Sequence, residues 1–135
     1  MISKAKKYFS KQKDISTAYV FGSYASGRVR IGSDLDIGIV FSQKPESFRR
    51  QSGIIFQLQK IFGVTKVDVR ELGLSNSPVF LLSAIKNAKI IYEKNPFERQ
   101  KFETEIMKEY IDTQKLRNIQ FNYLKERIKE AAYAS

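Results

Sequence analysis

Two acids one residue apart, Asp34 and Asp36, open an apolar run, and ten residues separate them from an upstream Gly22-Ser23 pair. Carboxylate oxygens suit hard Mg²⁺, which also takes substrate phosphate oxygens into its shell. A glycine at the end of a strand lets backbone approach a ligand closely. A serine hydroxyl and the backbone N–H groups after it can hold phosphate oxygens, more so where a helical turn begins. Arg28 and Arg30 add positive charge to the intervening loop. A third acid, Asp68, sits inside "TKVDVREL" (65–72). If that segment neighbours the Asp36 strand, three carboxylates meet at one point, as two-metal phosphoryl or nucleotidyl transfer requires. Taken singly, a Gly-Ser is usually a turn and an Asp-x-Asp usually a solvated strand cap. Taken together, the spaced pattern arises by chance in roughly 0.2% of chains this long.

The residues that are missing narrow the chemistry. The chain has no His and no Cys. That excludes an ordinary zinc site, a Ser-His-Asp triad and a thiol nucleophile. A catalytic base must then be a carboxylate, a Lys, a Tyr or a metal-bound water. The net charge is +10, and residues 1–13 alone supply five lysines and no acid. From Glu93 onward the balance is nearly even, with nine basic and eight acidic residues. The excess therefore lies in the part that carries the acidic motif. An anionic substrate or partner fits it (nucleotide, nucleic acid or acidic protein), and a solvated basic surface fits it equally well.

These side chains need a scaffold. At 135 residues, 42% of them hydrophobic and 13% aromatic, a single globular domain is expected over 1–135. No apolar run is long enough to span a membrane, and no secretory core follows the basic N-terminus. With no cysteine, the cytoplasm is the expected location. Residues 3–13 read as an amphipathic helix with Ala5, Tyr8 and Phe9 on one side, followed by a polar break over 14–17. "AYVFG" (18–22) and "LDIGIVF" (35–41) read as strands. In the second, Leu35, Ile37, Ile39 and Phe41 face one way and Asp34, Asp36, Gly38 and Val40 the other. A helix follows to Phe62, with Phe48, Ile55, Leu58 and Ile61/Phe62 as its apolar side, and Gly63 closes it. The 65–72 strand turns Val67 and Val69 to the core and Asp68 away. Pro78 opens an apolar helix that ends at Asn87 in the left-handed region. Residues 88–93 form a short strand. A helical pattern over 97–132, interrupted near 112–114, makes a C-terminal arm behind a core over 15–93. The loop between Gly22 and Leu35 is too short for a crossover helix, so the sheet of three or four strands is expected to be mixed or antiparallel. The class is α/β in the α+β sense.

Gly22-Ser23, ten residues and Asp34-Leu35-Asp36 match the signature of the DNA polymerase β-like nucleotidyltransferase superfamily. "VFGSYASGRVRIGSDLDIGIV" resembles its minimal members. "VDVREL", a polar loop and Pro78 are similar to the strand and helix that carry the family's third acid. The tail "NAKIIYEKNPFERQKFETEIMKEYIDTQKLRNIQFNYLKERI" is similar to that of the MntA-type antitoxins, partners of HEPN ribonuclease toxins. The resemblance covers roughly residues 15–130. It implies a nucleotidyltransferase fold, ATP as substrate and two Mg²⁺ ions. It further implies that Ser23 contacts the β/γ-phosphates, that Gly22 shapes the turn, and that Asp34, Asp36 and Asp68 bind metal. Asp68 would also help deprotonate the acceptor. Many minimal members read Ala-Arg-Gly where this chain has Ala25-Ser26-Gly27, so Arg28 is the residue expected to take the arginine's place. Asn87 stands where a glycine is common, a difference read as structural.

The implied activity is transfer of AMP from ATP to a tyrosine hydroxyl of a HEPN toxin, silencing it. Two alternatives stand beside it: a small-molecule nucleotidyltransferase of the antibiotic-modifying type, and a non-catalytic antitoxin that masks its partner. Neither a membrane nor a directly bound nucleic acid is an expected partner. The N-terminal lysines read as a solvated helix face, and Tyr24 as a packed loop aromatic rather than a base-stacking one. The Phe102, Ile106, Tyr110 stripe is expected to pack on the sheet.

Overall fold

The computed structural model describes residues 2–26, 34–44, 49–73 and 75–134. The elements among these residues are, in order, α1 (Ile2–Ser10), β1 (Ile15–Phe21), α2 (Gly22–Ser26), β2 (Leu35–Phe41), α3 (Arg49–Phe62), β3 (Val67–Glu71), α4 (Pro78–Lys86), β4 (Lys89–Glu93) and α5 (Pro96–Ala134). The strands form one mixed sheet in the order β3-β2-β1-β4. β1 runs antiparallel to both β2 and β4, whereas β2 and β3 run parallel with α3 as their crossover. The short link after Gly22 forces the first geometry, and the α3 helix permits the second.

β1 is the central problem of the fold because both of its faces are covered. Ala18 and Val20 join Leu35, Ile37, Ile39, Val69 and Ile91 in a core sealed by Ala5 and Phe9 of α1 and Ile54, Leu58 and Phe62 of α3. On the other face Tyr19 packs with Leu72, Leu81 of α4 and Ile106 of α5, with Phe21, Val40 and Phe102 alongside. The packed core therefore takes in α1. Tyr24 stays with the first core, its ring edge-on to Phe62 at 6.0 Å between centroids.

Four local expectations are corrected. The 14–17 break is strand from Ile15 onward, and Ser16 and Thr17 are buried there, since Glu98 of α5 accepts a hydrogen bond from Ser16 at 3.0 Å. In α3, Ile54 rather than Ile55 is fully buried; Phe48 lies outside the described residues. Asn87 caps α4 at φ −105°, not in the left-handed region, because its N–H turns back to the Ile85 carbonyl in a tight last turn. The C-terminal arm is one unbroken helix of 39 residues, about 58 Å long at 1.5 Å per residue. Thr113, inside the expected break, is held in the helix by its hydroxyl bond to the Glu109 carbonyl at 2.8 Å.

Two predicted helix signals hold. Ser77 accepts from the Phe80 N–H at 3.1 Å with Pro78 in the first turn, so α4 starts where its cap and proline place it. Gly63 ends α3, donating to Gln59 at 2.9 Å. The root of α5 is fixed by charge. Arg99 bridges Glu93 of β4 and Glu103 one helical turn on, and Glu103 accepts the Tyr19 hydroxyl at 2.9 Å. Beyond Tyr110 the same helix leaves the sheet and exposes Leu116, Ile119, Phe121, Leu124 and Ile128.

Candidate functional site

The acids lie at one end of the sheet, on the face that α4 covers. Asp36 and Asp68 are register partners on the parallel strands β2 and β3, which sets their backbones about 4.8 Å apart. Asp34 precedes β2 and is exposed. Phe21, the last residue of β1, pairs with Asp36 from the other side. Gly38, next on the Asp36 face, leaves room for the Phe21 ring: a Cβ there would come within 2.6 Å of that ring and 2.7 Å of Leu72. The alternation seen in "LDIGIVF" thus delivers an acid, a gap and a valine to this face.

Gly22 adopts φ +67°, and a Cβ on it would sit 3.1 Å from the Asp36 carboxylate. Only glycine makes this turn without strain, so the strand-end glycine both bends the chain and lies against the acid. α2 begins at this turn, the helical start that phosphate binding would exploit. Ser23 is in α2, but its side chain lies outside the described atoms, and Arg28 and Arg30 lie outside the described residues.

Charge is left unbalanced here. Burial first, then the neighbouring charges of Asp68 and Asp34, push the Asp36 carboxyl up from its ordinary range, and Arg70 only partly opposes them. Arg70 lies two residues beyond Asp68 on the same face of β3 and donates from Nε to the Asp68 Oδ2 at 3.2 Å. Among the described residues no three acids close on one point, in contrast to the expectation that three carboxylates meet there. The donor set still suits a hard divalent cation. It is all carboxylate oxygen, carried on adjacent strand positions, with a mutual repulsion that a cation would relieve.

Beside the acids a cleft of about 300 Å³ opens between the sheet and α4, lined by Phe21, Asp36, Asp68, Arg70, Phe80 and Asn87 among others. Sequence reading singles out neither Arg70 nor Phe80, Ser83 and Ala84, and takes Asn87 as structural. A signal for them exists: Arg70 shares the parity of Asp68, and Phe80, Ser83, Ala84 and Asn87 recur at helical spacing, with Ser83 and Asn87 as polar positions in a mostly apolar helix.

The family described as Polymerase beta, Nucleotidyltransferase matches residues 3–97. The chain belongs to the polymerase β nucleotidyltransferase family. No curated protein sequence matches it significantly. Among solved structures, a chain of a toxin–antitoxin complex with AMP-PNP is similar at TM-score 0.74 and 19% identity, covering 92% of this chain and 98% of that one. A chain of the structure described as a tri-AMPylated Shewanella oneidensis HEPN toxin in complex with an MNT antitoxin gives TM-score 0.66, 17% identity and coverages of 93% and 99%. A chain of an MntA–HepT toxin–antitoxin structure gives 0.68, 17%, 92% and 96%. At these identities the likeness establishes a shared fold, and it extends over the long C-terminal helix of this nucleotidyltransferase-family chain. No described helix is long and apolar enough to cross a membrane.

Proposed function

We propose that this chain is the antitoxin of a toxin–antitoxin pair and transfers AMP from ATP to a tyrosine hydroxyl of a HEPN ribonuclease in the cytoplasm. The observation that carries the reading is the pairing of Asp36 with Asp68 across β2 and β3, with Asp34 beside them and Gly22 against the Asp36 carboxylate. The fold shared with chains of toxin–antitoxin complexes, one holding AMP-PNP and one an AMPylated toxin, supports the choice of nucleotide and partner.

In this reading 1–135 works as one domain. Gly22 sets the turn on which Ser23 meets the β- and γ-phosphates, and Arg28 adds a cation to the same loop. Asp34, Asp36 and Asp68 would hold two Mg²⁺ ions, which would supply activation of the attacking oxygen and stabilisation of the leaving pyrophosphate. The phenolic oxygen forms a bond to the α-phosphorus, the bond from that phosphorus to the bridging oxygen breaks, and pyrophosphate leaves with the electron pair. Asp68 helps to take the phenolic proton, the role that the family resemblance gives it. The antibiotic-modifying alternative is less favoured, because the solved chains that share this fold over more than nine-tenths of its length come from toxin–antitoxin complexes. A purely masking antitoxin draws support from the exposed apolar arm, yet leaves the crowded acids without a role.

The test is to combine the purified protein, a HEPN toxin, ATP and Mg²⁺ and weigh the toxin intact. AMP increments that map to a tyrosine and vanish with Asp34→Asn are expected. A toxin inhibited at unchanged mass would overturn the enzymatic reading in favour of masking.

A further inference from the structure

We propose that Arg70 is a positioning residue that holds Asp68 while the acid cluster is without a divalent cation and yields it when cation and nucleotide load together. The inference rests on the reading of Asp68 as a metal-holding acid.

Asp68 and Arg70 alternate along β3 and so share the face that carries Asp36. Their Nε–Oδ2 contact is 3.2 Å, and their side chains are 53% and 61% exposed. An ion pair this exposed is weak and readily exchanged. It also partly offsets the repulsion that Asp34 and Asp68 exert on Asp36. The guanidinium has a second support, since it stands over the Phe80 ring at 5.8 Å from the centroid. A planar guanidinium can rest on an aromatic face while its charge remains available. Released from Asp68, Arg70 would stay at the lip of the cleft, where a polyphosphate anion would meet its charge.

Two effects of opposite sign result. A bare cation must compete with Arg70 for Asp68, so Arg70 weakens binding of the cation alone. A cation that arrives with a nucleotide brings net negative charge, so Arg70 strengthens binding of the pair. The residue thereby disfavours a site loaded with metal but no nucleotide.

The experiment is a Mn²⁺ titration of the full chain at low ionic strength, followed by electron paramagnetic resonance of the free ion, with and without AMP-PNP. Without nucleotide, Arg70→Gln is expected to bind Mn²⁺ about two- to fivefold more tightly than the parent, the range an exposed ion pair supports. With AMP-PNP the same variant is expected to bind the complex less tightly, by a similar factor. Arg70→Lys, which keeps the charge, is expected to stay near the parent for the bare ion. The gain in Arg70→Gln should disappear when Asp68→Asn is added, which separates competition for Asp68 from a general change of surface charge. Unchanged or weaker bare Mn²⁺ binding in Arg70→Gln, or a gain that persists without Asp68, overturns the inference and leaves the proposed function standing. A parent that binds no Mn²⁺ in either condition overturns both.

Discussion

Charge is handled in opposite ways along the two sides of β1. At the root of α5 the charges are partnered: Arg99 with Glu93 and Glu103, Glu103 with Tyr19, Glu98 with Ser16. At the other end Asp36 bears the repulsion of Asp68 and Asp34, and Arg70, which faces Asp68, opposes it only in part. In the first cluster each charge has its partner, so removing one member would strand the others partly buried and uncompensated. The second opposes folding, because like charges crowd a partly buried carboxylate. Unbalanced, partly buried charge beside a cleft is a mark of a working site.

Substitutions at the two clusters should therefore fail in different ways. The largest effect is expected from Asp36→Asn. AMP transfer should fall by at least about 10²-fold, while the unfolding midpoint stays level or rises, since a like charge has been removed. Transfer assays and chemical denaturation check both halves. A marked loss of stability would make Asp36 a structural acid and erase the contrast.

Arg99→Ala should do the reverse. It leaves Glu93 and Glu103, both mostly buried, without their cation. A loss of about 2–3 kcal/mol is expected in urea denaturation, with nucleotide affinity unchanged in whatever protein remains folded. Gly38→Ala tests the ground between the clusters. Its Cβ would strike Leu72 of the second core and the Phe21 ring, which borders both that core and the cleft. About 1–2 kcal/mol should be lost by overpacking, and nucleotide binding should weaken with it. Calorimetry beside denaturation reads the two together.

The smallest effect is pH-dependent. Burial, then the bond to Glu103, raises the Tyr19 hydroxyl above the ordinary tyrosine value of 10.0. The folded state keeps this proton to higher pH than the unfolded chain does. The stabilisation is complete below pH 10 and shrinks as pH rises above it. Tyr19→Phe should lose about 1 kcal/mol at neutral pH, the worth of one hydrogen bond. Its stability should then fall less steeply above pH 10 than the parent's, measured as denaturation midpoints across alkaline buffers.

Much of the site was legible in the chain because its signals are local. Period-two alternation in "LDIGIVF" assigns Asp36 and the Leu35, Ile37, Ile39 set to opposite faces, and burial agrees with that assignment. A glycine at a strand end and a Ser-Pro pair at a helix start have a single reading each, set by backbone sterics. The misreadings also have physical causes. Ser16 and Thr17 look like loop residues until Glu98, some eighty positions away in sequence, supplies the hydrogen bond that lets Ser16 be buried. The arm looks broken at 112–114 because Asp and Thr are weak helix formers, yet a long helix tolerates them once its root is anchored. Arg70 escaped notice because an exposed arginine on a strand carries no local signal.

Sequence alone determined the chemical inventory: carboxylates in place of histidine and cysteine, a glycine turn, and acids at fixed parity on their own strands. These depend on residue type and on strand and helix periods, which are properties of neighbouring residues. Only the tertiary structure decided that β3 lies parallel to β2 with Asp68 level with Asp36, that Arg70 faces Asp68 beside the Phe80 ring, and that α5 is pinned at its root and bare beyond Tyr110. Strand order, register and the packing of a helix depend on apolar surface and charges drawn from distant parts of the chain, and no local pattern carries that information.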